Sequence, residues 1–384
     1  MQKHNPLKLY LSIVAISFIQ GLQYSVSPIL GDIQAHYPGV DISLIQMLIT
    51  APGLLSMAVS LASGWLVLKI TKKQMLLFGA LVAGITGFVP FLSDSFALLL
   101  GARICYGVGL GIATTMNVAV VAEFFEGNER VKAMGVQAAS VGAGMVVATT
   151  AAGMLGKGGF QRAYFVNVIG FISLAVLLLC LPETGIAKQN RTEKIKLNKK
   201  VLLMDLFGLT EFLFLITFTT NIAMHLSGAI AGDSSVSGML TGCFSASQIV
   251  IGILLGAVTK AAKNYTLSAA MLSFSIGAAM LILFPGHGLL LAVGAVFCGF
   301  SQGIFIPTAS TYISNAVPPV ATAFAAATFT VAMNLGQLIS PTVLNGLSKA
   351  VFGKTTTTGV YVLSAAGMLI AAMAMAWWQR GQAE

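Results

Sequence analysis

Charge is what this sequence has least of. Of its 384 residues, 9% are Asp, Glu, Lys or Arg, and 57% are hydrophobic. A soluble globular domain carries about 25% charged residues. So little charge cannot cover a surface that faces water, which excludes a soluble protein and indicates an integral membrane one. Histidine and cysteine are scarce as well, with four of each. The histidines (His4, His36, His225, His287) do not cluster. The cysteines (Cys105, Cys180, Cys243, Cys298) lie inside apolar runs without metal-type spacing. They are expected to be small buried hydrophobes, with no disulfide framework and no metal centre. Zinc and phosphate-loop signatures are missing, and no cofactor is expected. No cleavable leader is expected either, because the first apolar run is already long enough to span a bilayer. The net charge of +9 does not point to nucleic acid, since the basic residues fall in short segments between apolar runs.

What the chain has in abundance is apolar length. At roughly 20 residues per span, twelve segments are expected, over 8–30, 43–68, 75–92, 96–120, 133–155, 164–181, 203–227, 237–259, 266–284, 289–313, 320–344 and 358–378. The linker from Pro182 to Lys200 stands out as long, polar and basic. It carries Lys188, Arg191, Lys194, Lys196, Lys199 and Lys200. With the N-terminus inside, sixteen of the 21 Lys and Arg lie on the inner side and four outside (Lys157, Arg162, Lys349, Lys354), with Arg103 inside a span. That asymmetry predicts both chain ends in the cytoplasm.

The two halves echo one another. An offset of 192 residues pairs Gly64 with Gly256, Gly107 with Gly299, Gly111 with Gly303 and Gly144 with Gly336. The pairing predicts a six-span bundle over 1–182, a cytoplasmic linker over 183–200 and a second six-span bundle over 201–384, the parallel repeat of one large transporter fold.

With those features in place, the chain resembles a twelve-span member of the major facilitator superfamily, and within it the drug:proton antiporter branch. The segment Gly64-Trp-Leu-Val-Leu-Lys-Ile-Thr-Lys-Lys73 resembles the family's signature between spans two and three. It departs from the pattern at Leu68 (usually an acid), Lys69 (usually arginine) and Thr71 (usually glycine). The fourth span, with Arg103, Gly107 and Gly111, is similar to the family's motif of a membrane arginine with spaced glycines. Gly135, Gly144, Ala148, Ala152 and Gly153 follow the fifth-span spacing of exporters, with Thr149 in place of its proline. The resemblance implies an all-α membrane protein of two pseudo-symmetric bundles, with a central pocket lined mainly by spans one, four, seven and ten.

The costly polar residues inside spans are the candidate functional groups. A charge at the centre of a spanning helix costs at least about 2.5 kcal/mol, so Arg103 is expected to face a wet cavity or a partner, or else to make a structural ion pair or to snorkel near the outer surface. Helical spacing places Tyr106, Leu110, Thr114 and Asn117 on its face. Glu211 is the one carboxylate well inside a span, on a face with Phe214, Phe218, Asn221 and His225. Burial makes such a carboxyl a candidate proton carrier, the alternative being a group that only packs. Span one offers no acid on the face of Ser17, Gln20, Tyr24 and Ser27, which leaves Asp32 at its outer end as the second candidate. His225 is expected to be interfacial. Gln46, Thr50, Gly53 and Met57, and Thr330, Asn334, Gln337 and Pro341, form two further polar faces.

In the pocket that the resemblance implies, the expected substrate-binding residues are Gln20, Tyr24, Arg103, Phe218, Asn221, Gln302 and Phe305; proton coupling is expected of Glu211, Arg103 and Asp32, and gating of Lys69, Lys72 and Lys73 with Glu123. The 17 methionines and 23 phenylalanines suit an adaptable apolar pocket. Gly299-Phe-Ser-Gln-Gly303 matches the nucleophile-elbow pattern, but it lies inside an apolar span where the strand-to-helix turn is impossible, so no hydrolase is expected. The expected activity is proton-coupled export of small apolar or amphipathic compounds by a monomer. The alternative is uptake of a small organic anion with protons, with Arg103 holding the anion.

Overall fold

The computed structural model describes residues 5–183, 186, 198–318 and 322–380; the linker lysines 188, 194 and 196 and Arg191 lie outside the described residues. Among the described residues every regular element is helical. Eleven helices are long and apolar enough to cross a membrane. They are α1 (Pro6–His36), α2 (Ile42–Leu66), α3 (Lys72–Leu92), α4 (Phe96–Phe124), α5 (Lys132–Gly156), α6 (Phe160–Cys180), α7 (Lys199–His225), α8 (Ser234–Ile253), α9 (Leu255–Leu283) and α10 (Gly288–Ala316), followed later by α12 (Thr357–Arg380). The expected segment 320–344 falls on α11 (Thr322–Phe352), a further helix of 31 residues.

Local chemistry sets the ends and breaks. Asn198 caps α7 by accepting from the Lys200 amide, and Thr71 with Gln74 forms a capping box at the start of α3. Pro28 removes a helical donor, and α1 there loosens into two 3-10 turns, Leu22–Tyr24 and Ser27–Ile29, before resuming to His36. The expected run 237–259 is interrupted at Leu254, whose backbone leaves the helical region. Residues 255–262 form a short first segment of α9, joined to its main segment, Thr266–Leu283, through a 3-10 turn at Lys263–Tyr265. Lys263 has φ +49°, a left-handed conformation uncommon for a lysine.

The chain divides into two units. The first comprises residues 1–38 and 47–192, the second residues 39–46 and 193–384. In the first, α2 packs on α4, α1 on α5 and α6, and α3 on α4 and α6. In the second, the same pattern recurs with α8 on α10, α7 on α11, and α9 on α10 and α12.

The repeated glycines explain this. A side chain at Gly107 would strike the backbone at Pro52, and one at Gly299 would strike Phe244, 192 residues further on. Gly111 lies against Ser56, and Gly303 against Gln248, again 192 apart. Gly144 meets Phe18, while Gly336 meets Leu209. What repeats is a set of close helix crossings, where a missing side chain lets two backbones approach in the absence of any hydrophobic drive from water. Gly64 and Gly256 have nothing within 4 Å and do not share this role.

Candidate functional site

In the first unit, the buried polar groups gather where α1 breaks. Arg103 is 3% exposed. Its Nε donates to the Leu48 carbonyl at 2.8 Å, and Nη2 donates to the Gln23 carbonyl at 2.6 Å. Leu48 lies four residues before Pro52, so the amide that would have bonded its carbonyl does not exist. Gln23 sits in the 3-10 turn of α1. The guanidinium thus satisfies carbonyls left open by two helix irregularities, and it lies over the Tyr106 ring with 4.9 Å from Cζ to the centroid. The Tyr106 hydroxyl donates to Ile19 O at 2.5 Å, and Gln20 Nε2 donates to Ala113 O at 3.2 Å. No carboxylate pairs with Arg103 among the described residues. Tyr24 is buried, and Asp32 is half-buried at the far end of α1.

The basic residues after α2 separate. Lys72 pairs with Glu123 at 2.6 Å, Lys73 with Glu183 at 3.3 Å, and the Lys69 ammonium lies 3.9 Å over the Trp65 ring. All these contacts are within the first unit.

In the second unit, Glu211 is completely buried. One carboxyl oxygen, Oε1, accepts from Ser301 Oγ of α10 at 2.6 Å, while Oε2 has no hydrogen-bond partner among the described residues. On the same stretch of α10, the Gln302 side chain is 9% exposed and its Oε1 also lacks a partner. Phe218 and Phe305 are fully buried, the former stacked on Phe244 at 4.8 Å and the latter on Phe329 at 6.4 Å. Both belong to the packed apolar core of this unit.

Asn221 joins a buried chain of amides. Its Oδ1 accepts from Gln46 Nε2 at 2.8 Å, and Gln46 Oε1 accepts from Asn345 Nδ2 at 2.7 Å. Asn345 also donates to Ser43 Oγ at 3.1 Å. His225 is 5% exposed rather than interfacial: its Nε2 donates to Leu281 O and its Nδ1 meets Thr357 Oγ1, both at 2.9 Å. A carbonyl only accepts, which puts a proton on Nε2.

Two contributors went unread in the sequence. Asn345 continues the face of Gln337 and Pro341 by one more turn, so extending the helical count past residue 344 finds it. Ser301 is set aside as a nucleophile, yet it is the donor to Glu211; only the crossing of α7 and α10 shows that.

Comparison with known proteins follows the same direction. The chain is 28% identical over 155 residues to the riboflavin transporter RibZ of Clostridioides difficile (strain 630), a stretch covering 40% of this chain and 34% of that one. It is 28% identical over 188 residues to the probable vesicular acetylcholine transporter-B of Danio rerio, covering 46% of this chain and 38% of the relative. The chain therefore matches little more than a third of the length of these curated relatives. Among solved structures, the nucleoside transporter NupG superposes with a TM-score of 0.79 at 15% identity over 96% of this chain and 98% of that one. The POT family transporter PepTSo gives 0.80 at 9% identity over 98% of both chains, and at such identities the likeness is one of fold. The sequence profile of the Major Facilitator Superfamily matches residues 11–231 and 206–383, and the chain belongs to that family.

Proposed function

We propose that this protein is a twelve-span secondary transporter that exports small apolar or amphipathic organic compounds in exchange for protons, by alternating access, from a cell membrane with both chain ends in the cytoplasm. The observation that carries the coupling is the state of Glu211. Its carboxyl is completely buried, one oxygen has a single hydroxyl donor, and the other has no partner among the described residues. A charged carboxylate without a counter-ion is expensive in such a place, so its proton is kept when the site is dry and released when water reaches it. That is the behaviour coupling requires. The named cargoes of the relatives, riboflavin and acetylcholine, support small organic substrates.

Substrate contact is assigned to Gln20 and Tyr24 in the first unit and, in the second, to Asn221 and Gln302, with Phe218 and Phe305 as apolar backing within that unit. Arg103 is assigned a holding role at the break of α1, because two carbonyls already occupy its donors. Uptake of an organic anion paired with Arg103 draws no support from that arrangement. Asp32 is assigned no part in carrying protons, and the Lys72–Glu123 pair is assigned to bracing α3 against α4.

The test is transport into inside-out vesicles with an imposed inward-acid proton gradient. Substrate is expected to accumulate in vesicles carrying the wild-type protein, and Glu211→Gln is expected to abolish gradient-driven accumulation while still binding substrate. Gradient-driven transport intact in Glu211→Gln overturns the assignment. Accumulation in right-side-out vesicles instead reverses the direction.

A further inference from the structure

The second unit holds a cavity that the proposed transport does not use. It is about 390 Å³ and opens at the end of the unit that carries Lys260, Lys263 and Arg380. Its wall is built from the bend at the start of α9, from α10 past Pro307 and from the end of α12. The wall is divided by chemistry. Leu255, Leu267 and Pro307 make an apolar side, and the rings of Tyr312 and Trp378 meet edge to face at 5.2 Å. The Tyr312 hydroxyl is buried and has no hydrogen-bond partner among the described residues. Lys263 brings an ammonium to the mouth, and the lining contains no carboxylate.

A buried hydroxyl without a partner and an ammonium on one rim both call for an anionic oxygen. The surroundings indicate what carries it. Next to the lining residues Leu255 and Trp378 stand Ile253, Leu254 and Trp377, exposed by 80%, 50% and 80%. In a membrane-spanning unit, such apolar side chains face lipid tails, so the cavity opens beside the acyl region and not only toward water. Aromatic residues and lysines gathered at one end of a bundle mark the level of lipid headgroups.

We propose that this cavity is a binding site for an anionic phospholipid, with the phosphate held by Lys263 and the Tyr312 hydroxyl. The glycerol and upper acyl chains lie along Leu255, Leu267 and Pro307 and leave over Ile253 and Leu254. The left-handed backbone at Lys263 fits this role, because it turns that residue out of the helix at the mouth of the cavity.

The experiment is native mass spectrometry of the full-length protein released from micelles containing equal amounts of phosphatidylglycerol and phosphatidylcholine of matched chains. Wild type is expected to retain one phosphatidylglycerol in clear preference to phosphatidylcholine. Lys263→Gln and Tyr312→Phe are each expected to lower that retention at least about threefold, and the double variant to remove the preference. Lys349→Gln, whose lysine does not line the cavity, is expected to retain lipid as wild type does. Melting temperatures in lipid-free detergent check that the variants fold; neither conservative change removes core packing. Retention unchanged in both variants overturns the proposal. So does equal protection of the melting temperature by sn-glycerol 3-phosphate, which would make the site one for a soluble anion.

Discussion

At the scale of single residues, Arg103 and Glu211 show two ways in which a polar group survives inside a span. Arg103 is spent on the backbone, and replacing it removes two charge-assisted hydrogen bonds while leaving the carbonyls of Leu48 and Gln23 without donors. Each orphaned buried acceptor costs about 1–3 kcal/mol. Arg103→Ala is therefore expected to destabilise the fold by roughly 3 kcal/mol, read as a lower melting temperature in detergent with or without substrate. Arg103→Lys is expected to recover only part of this, because one ammonium cannot reproduce the fork of the guanidinium. If Arg103→Ala keeps the wild-type melting temperature but raises KM, the residue binds substrate instead. Glu211 is not spent in this way, since Oε2 has no partner among the described residues. That both residues are exceptional was legible from the sequence, since a charge in an apolar run is visible without any fold. What each charge is used for was not, because Leu48, Gln23 and Ser301 lie 55, 80 and 90 residues away in sequence.

At the scale of elements, the spans and their repeat were readable because length and glycine spacing are one-dimensional signals. The breaks were harder. Pro28 announces the interruption of α1, whereas the bend at Leu254 has no proline to mark it. The repeat also overstated its case at one pair. Gly107 and Gly299 sit against a neighbouring backbone, but Gly64 and Gly256 face open space. Gly299→Ala is accordingly expected to cost about 1–3 kcal/mol through forced separation of α8 and α10. Gly256→Ala is expected to be neutral or to stabilise by up to about 1 kcal/mol, since alanine is the better helix former. Thermal unfolding of the two variants side by side checks both. Equal losses would mean that close approach is not what the repeated glycines provide.

A second element-scale junction carries a pH signature. At the end of α1, His36 Nε2 meets Asp94 Oδ1 at 2.7 Å, and the Tyr37 hydroxyl donates to the same oxygen at 2.9 Å. The hydrogen bonds from His36 and then Tyr37 hold the Asp94 carboxyl below its usual range. Partial burial, followed by the bond to Asp94, pushes the Tyr37 hydroxyl up to about 12. A lowered carboxyl contributes stability in full above its unfolded value of about 3.9 and loses it as the pH falls through the lowered one. A raised tyrosine contributes in full below about 10 and loses it as the pH rises through about 12. The melting-temperature difference between wild type and Asp94→Asn is thus expected to shrink below about pH 4. A difference that persists undiminished into acid would show that the carboxylate charge is not what holds this corner.

At the scale of the whole molecule, the prediction that matters most is topology. The basic residues are distributed so unevenly that an even number of crossings, with both ends on the inner side, satisfies the rule that lysine and arginine stay inside. Eleven helices meet the demands of length and apolarity on their own, and the even count depends on α11 crossing as well. A 31-residue helix rises about 46 Å at 1.5 Å per residue, more than a bilayer's hydrocarbon core of about 30 Å requires. Its polar residues do not prevent a crossing where they are buried in protein, and Gln337, Ser340 and Asn345 are each at most 4% exposed. Single cysteines introduced at Lys263, Lys354 and Arg380 in a background lacking the four native cysteines decide the matter. A membrane-impermeant maleimide added to intact cells is expected to label position 354 and to spare 263 and 380, with all three labelled once the membrane is opened. Labelling of 354 and 380 from the same face would mean that α12 does not cross. Labelling of 263 with 354, sparing 380, would mean that the stretch between 263 and 354 crosses an even number of times, and the two chain ends would then lie on opposite faces.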